Sequence, residues 1–241
     1  MVVYLTETNN DFSDKYIEIR TKENRILTDS EVEKLPYTTK SNPNHKEWRI
    51  RQQSSGMIFN YLKNKKESLQ ILDIGCGNGW FSHMLSQIEN SKVIGLDINK
   101  IELEQASRVF NKENLQFFYG DIFKITKFEK QFNIITLNAC IQYFPNFKQL
   151  LDKLKSCLVS DGEIHIIDSP FYKNEEISNA KERTNTYYKT LGYPEMSNFY
   201  FHHSTDAISD FKIRYQPSKN RFYNFFNRNN SPFMWLQYSH Y

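Results

Sequence analysis

The segment Asp73-Ile74-Gly75-Cys76-Gly77-Asn78-Gly79-Trp80 places an acid at the end of an apolar run, then three glycines on alternate positions. Glycines this close together cost backbone entropy, so a fold keeps them where side chains would collide with something. Between a strand and a helix, that something is a nucleotide-like ligand lying against bare backbone. Asp97 follows 20 residues after Gly77. At the end of a second strand, a carboxylate so spaced can accept from both hydroxyls of a ribose. Further along, the adjacent His202 and His203 have a basicity suited to removing a proton near neutral pH, or they are polar residues at a helix start. His165 stands inside an apolar run and reads as structural.

Such residues act together only if elements bring them together, and the chain supplies an alternation of strands and helices. Strands are expected at 69–74, 92–96, 115–119, 132–137 and 163–167, with helices at 80–88, 100–110 and 147–158 between them. That rhythm predicts βαβ units and a parallel sheet. Gly162 after Asp161 predicts a tight turn into the fifth strand. Upstream, Ile50, Met57, Ile58, Tyr61 and Leu62 form a helical stripe whose start Ser41 or Asn44 can cap. Residues 1–43 are polar, weakly periodic and punctuated by Pro36 and Pro43. Past Ser169-Pro170 the rhythm changes to a polar helix over 175–191 and a short helix capped by Ser204 or Thr205. Strands at 211–215 and 233–238 then flank a loop, a late antiparallel pair at the sheet edge.

A chain of 241 residues fits one α/β domain, and 39% apolar with 24% charged residues describes a globular protein. The net charge of +3 does not demand nucleic acid or an anionic membrane as partner. No run is long and apolar enough to cross a bilayer, and Met1–Glu7 lacks the features of a signal peptide, so a cytoplasmic protein is expected. Cys76, Cys140 and Cys157 form no C-x-x-C pair, and nothing has metal-ligand spacing.

The glycine segment resembles the D-x-G-x-G-x-G loop of the class I S-adenosylmethionine (SAM)-dependent methyltransferases. The competing dinucleotide fingerprint G-x-G-x-x-G sets its third glycine one residue later, where this chain has Trp80. Three later segments also match the family in order: Val93–Ile98, Phe118–Ile122 and Phe132–Pro145. The resemblance covers roughly residues 45–170. It implies that Asp73, Gly75, Cys76, Gly77 and Gly79 line the cofactor, with Asp73 useful near its cationic groups. Asp97 and Ile98 lie at the ribose, which NAD would equally require. By the same resemblance, Asp121 accepts from the adenine amine and Ile122 packs on the ring; otherwise Asp121 caps the following turn. Asn138 and Ala139 line the methionine end, with Gln142 or Tyr143 near the transferred methyl. An N-terminal segment often folds over the cofactor in this family, which makes Trp48 and Arg51 candidates there, the guanidinium pairing the methionine carboxylate.

The implied fold is a Rossmann-like, doubly wound, seven-stranded sheet, mainly parallel with an antiparallel last strand. Residues 1–45 form an arm, 46–241 the methyltransferase domain, and about 171–210 an insertion over the substrate. The implied reaction is direct in-line methyl transfer to a small-molecule acceptor, leaving S-adenosylhomocysteine (SAH). Catalytic residues stay unassigned, with His202, His203 and Tyr143 as candidates. Asp168-Ser169-Pro170-Phe171 is similar to the D/N/S-P-P-Y/F motif of amino-group nucleic-acid methyltransferases, but it follows the wrong strand and lacks the second proline. The aromatic–basic run at 219–228 keeps an RNA or other nucleic-acid methyltransferase as an alternative. A non-catalytic SAM-binding module and an NAD-dependent oxidoreductase, disfavoured by the glycine spacing, are the others. The acceptor and the oligomeric state are not legible.

Overall fold

The structure is a computed structural model that describes residues 1–8, 10–218 and 230–239. In chain order the elements are β1 (Val3–Tyr4), α1 (Asn10–Lys22), α2 (Asp29–Val32), α3 (His45–Lys63), β2 (Leu69–Ile74), α4 (Trp80–Leu85), β3 (Ser91–Asp97), α5 (Lys100–Val109) and β4 (Leu115–Tyr119). They continue with β5 (Phe132–Asn138), α6 (Phe147–Cys157), β6 (Leu158–Ile167), β7 (Phe171–Tyr172), α7 (Asn174–Leu191), β8 (His203–Ser204), β9 (Lys212–Tyr215) and β10 (Trp235–Ser239).

Eight strands form one sheet in the order β1-β4-β3-β2-β5-β6-β10-β9. Neighbours from β1 to β6 pair in parallel, and β10 runs antiparallel to both β6 and β9. The central strands carry apolar residues on both faces, as a strand covered by helices on each side must. Ile71 and Ile134 join the apolar layer of α3, α4 and α5, which includes Ile58, Leu85 and Leu103. Leu72, Ile135 and Ile164, displaced by one residue, join the opposite layer with Leu150 and Leu154 of α6. Period-2 alternation in the strands and period-3.6 stripes on the helices thus make two cores around one sheet. Asn99 and Asn146 start α5 and α6 by accepting from the amides of Glu102 and Gln149.

The doubly wound sheet with its late antiparallel strand follows the sequence expectation, with one strand more. The extra strand is β1, where Val3 and Tyr4 pair with Phe118 and Tyr119. Two residues offer no periodicity to read. The stretch read as weakly periodic also folds into α1 and α2, and buries Ile19, Val32 and Leu35. Gly162 does not make the expected turn. It lies within β6 beside a register shift, where a Cβ would stand 3.0 Å from the Phe132 carbonyl oxygen. A close approach, not a reversal, requires glycine there. Among the described residues, no helix is long and apolar enough to cross a membrane.

Candidate functional site

From β2 the chain winds outward through β3 to β4, then returns to place β5 on the other side of β2. The carboxyl ends of β2 and β5 therefore face a crevice that neither crossover fills, the place where open α/β sheets bind ligands. A cavity of about 520 Å³ opens there, lined by the glycine loop, Asp97, Asp121, Asn138 and residues of α1 and α3. Its volume lies in the range of small-molecule sites.

The three glycines do different work. Gly75 and Gly79 are packed against protein, since added Cβ atoms would stand 2.6 Å from Cys140 Cβ and from the Phe117 ring. Gly77, at φ +52°, lines the cavity, and a Cβ there would make only ordinary contact, its nearest atom a Glu102 carboxylate oxygen at 3.5 Å. Cys76 is buried, and burial pushes its thiol pKa up.

Asp73, at 1% exposure, is occupied within the fold. Its oxygens accept from Ser82 Oγ at 2.6 Å and Thr136 Oγ1 at 2.8 Å, tying β2 to α4 and β5. Burial pushes its pKa up to about 7. Asp73 nevertheless lines the cavity, as expected of an acid near a ligand's cationic groups, with each oxygen also engaged by a hydroxyl. Asp97 accepts from the Gly77 amide at 2.7 Å and the Asn99 amide at 2.8 Å, which pins the loop to β3. Burial raises its pKa as well. Ile98 is exposed at the rim.

Asp121 caps a 3-10 turn by accepting from the Phe123 amide at 3.0 Å, so the capping alternative describes its geometry while it still lines the cavity. Ile122 beside it is buried. Asn138 is the polar residue with most left to satisfy. Both amide atoms of its side chain are buried and have no hydrogen-bond partner. Ala139 next to it holds φ +54°, a left-handed conformation that costs energy in a residue with a Cβ and that concentrates at functional sites.

Trp48 lines the cavity and meets Trp80 edge to face at 5.5 Å between centroids. Arg51 lies over the Trp48 ring but is paired with Glu47 at 2.9 Å, and Arg25 grips the same carboxylate at 2.8 and 2.6 Å. Although burial opposes it, these two guanidinium groups hold Glu47 down to about 2.

The two histidines are not brought to the cavity. His203 belongs to β8, is buried against Phe147 and Phe171, and donates from Nε2 to the Ile141 carbonyl at 3.2 Å. His202 meets Thr184 at 3.0 Å and packs at a tilt against the rings of Tyr172 and Tyr200. The β7–β8 pairing of Phe171 with His203 turns that segment away. Tyr143 does line the cavity, and its hydroxyl accepts from Arg20 Nη2 at 2.7 Å.

Sequence reasoning missed Tyr16, Arg20 and Glu102, all on the cavity wall. Arg20 lies over Tyr16 at 4.6 Å and bonds Glu23 at 2.7 Å. The i,i+4 spacing of Tyr16 and Arg20 was the available signal, masked by the polarity around it. The aromatic–basic run at 219–228 lies outside the described residues.

The profile of the Methyltransferase domain family matches residues 65–230, well over half the chain. A malonyl-[acyl-carrier protein] O-methyltransferase 2 of Ilyobacter polytropus is 36% identical over 106 residues, covering 43% of this chain and 40% of that protein. A malonyl-[acyl-carrier protein] O-methyltransferase of Acetivibrio thermocellus is 27% identical over 143 residues, covering 49% and 50%. The chain thus spans half or less of these curated relatives. Among solved structures, the geranyl diphosphate C-methyltransferase of Streptomyces coelicolor, determined with SAH, superposes with a TM-score of 0.59 over 93% of this chain and 92% of its own. At 10% identity that likeness speaks for the fold alone.

Proposed function

This chain belongs to the Methyltransferase domain family, within the class I SAM-dependent methyltransferases, and from that premise we propose that it moves the SAM methyl group to a small-molecule acceptor. One observation carries the reading. The glycine loop, Asp97, Asp121 and Asn138 leave the carboxyl ends of four adjacent parallel strands and line a single cavity. Two features support the fit of SAM to it: the buried Asn138 amide, which has no partner among the described residues, and the bare backbone of Gly77 in the cavity wall.

In this reading the backbone at Gly75–Gly79 lies against the cofactor, Asp97 accepts from the ribose, and Asp121 with Ile122 holds the adenine. Asn138 and Ala139 meet the methionine end. Arg20 joins Arg51 as a candidate partner for the methionine carboxylate, because Arg51 shares Glu47 with Arg25. SAM supplies an activated methyl, so holding the acceptor in line with it can provide most of the acceleration. Tyr143 stands where an acceptor would be steadied. Residues 1–45 serve as the arm, with Tyr16 and Arg20 on the cavity wall, and about 171–210 cover the acceptor. The names of the curated relatives point toward a carboxylate carried by a protein, and a small acyl group is the acceptor class we favour.

The test is incubation with methyl-labelled SAM and fractionated cell extract, before and after nuclease and protease treatment. Label in small molecules, or in acyl groups released from a carrier, is expected. Nuclease-sensitive label would overturn the acceptor assignment. Binding of SAH without label in any fraction would identify a non-catalytic module.

A further inference from the structure

Beside the glycine loop stands a second carboxylate. Asn99 caps α5 through the Glu102 amide, fixing the first turn of that helix, and the Glu102 side chain reaches the loop. Its oxygens lie 3.5 and 3.6 Å from the point a Cβ on Gly77 would occupy. Asp97 approaches the same glycine through its amide. The two acids differ in one respect. Both Asp97 oxygens accept from backbone amides, whereas the Glu102 carboxylate lines the cavity and accepts no hydrogen bond from the described residues.

Partial desolvation in the cavity wall and a neighbouring carboxylate both favour the protonated form of such a group until a donor arrives. The groups that face Glu102 are Asp97 at the end of β3, Cys76 in the loop after β2, and Tyr16 and Arg20 on α1. Arg20 is the cation among them, and it already bonds Glu23 and Tyr143. Among the described residues Glu102 is thus an acceptor without a donor, in the wall of the site assigned to SAM.

We propose that Glu102 is a second acidic ligand of the cofactor, which ionises to accept a hydrogen bond from its ribose or its ammonium group, so that cofactor binding releases a proton. This rests on the SAM reading above. Burial and the Asp97 charge push the pKa of Glu102 up to about 7, which places the release near neutrality.

Calorimetry with SAH tests the idea on the intact chain. Titration at pH 7 in two buffers of different ionisation heat should show release of about half a proton, and affinity should fall about tenfold per pH unit below 7. In Glu102→Gln the release and the slope should both vanish, and affinity at pH 8 should drop about tenfold, the worth of one hydrogen bond to a charged group. 5′-Methylthioadenosine keeps the ribose and lacks the ammonium. Linkage retained with it assigns the donor to the ribose, and linkage confined to SAH assigns it to the ammonium. Affinity that does not change with pH, or a slope that persists in Glu102→Gln, overturns the inference while SAH binding itself upholds the cofactor reading. No SAH binding at any pH overturns both.

Discussion

Gly77 and Gly79 are two residues apart and of the same type, yet they are required for different reasons. A Cβ at Gly79 would stand 2.6 Å from the Phe117 ring and 2.7 Å from Ala106, at φ +76°. Gly79→Ala should therefore lose about 2–4 kcal/mol in a urea titration, from overpacking and backbone strain together. At Gly77 the space belongs to the cavity. Gly77→Val should abolish SAH binding while the melting temperature falls by only a few degrees, the cost of about 1–2 kcal/mol of left-handed strain. Undiminished binding would sink the assignment of this loop. The spacing of the three glycines was legible because a ligand or a neighbour imposes it locally. The partner of each was not, since Phe117 and Cys140 arrive from distant strands. Asp73 makes the same point. Its place at a strand end was readable, but its service to Ser82 and Thr136 depends on how α4 and β5 pack.

At the level of elements, the antiparallel edge is held to α3 by a buried polar network. Trp235 of β10 donates to His165 Nδ1 at 3.1 Å, so the ring proton sits on Nε2 and is given to Glu163 at 3.0 Å. Tyr61 in the last turn of α3 and Lys65 just past its end donate to the same carboxylate, each at 3.0 Å. Burial pushes Glu163 up, but the bonds from His165 and Lys65 outweigh it and hold the group down to about 2. A depressed carboxylate contributes stability above its unfolded pKa and loses it as pH falls toward the folded value. Glu163→Gln should thus cost about 2–3 kcal/mol at pH 7, as expected when one partner of a buried charge network is removed. The difference from the parent should shrink between pH 5 and pH 3 when unfolding is followed by circular dichroism. A difference that stays constant across that range would show that the charge is not what matters. That His165 is structural was readable from its apolar strand. The identity of its partners was not, because Trp235 lies 70 residues further on.

Over the whole molecule, two cores grip the sheet and a third, smaller cluster lies apart from them. Ile19 of α1 packs with Tyr188 and Met196 of the segment after β7. Lys22 also donates to the Leu191 carbonyl at 3.0 Å, and Tyr187 donates to Glu23. Two pieces far apart in sequence thus pack together, α1 lining the cavity through Tyr16 and Arg20, and they should open as one unit. Ile19→Ala should speed amide exchange in α1 and in residues 188–200 together, while β2 and β5 stay protected. Exchange that rises in α1 alone would refute the shared unit. The sequence by itself determined the strand–helix alternation, the parallel sheet, the glycine loop and the acids at the strand ends. Each of these is written in short-range periodicity or in spacing along a single connection. Only the tertiary structure decided that α1 joins the cavity wall, that His202 and His203 stay outside it, and that Glu102 faces the loop. Those facts depend on which side chains from distant segments meet when the sheet is covered, and no local pattern encodes that meeting.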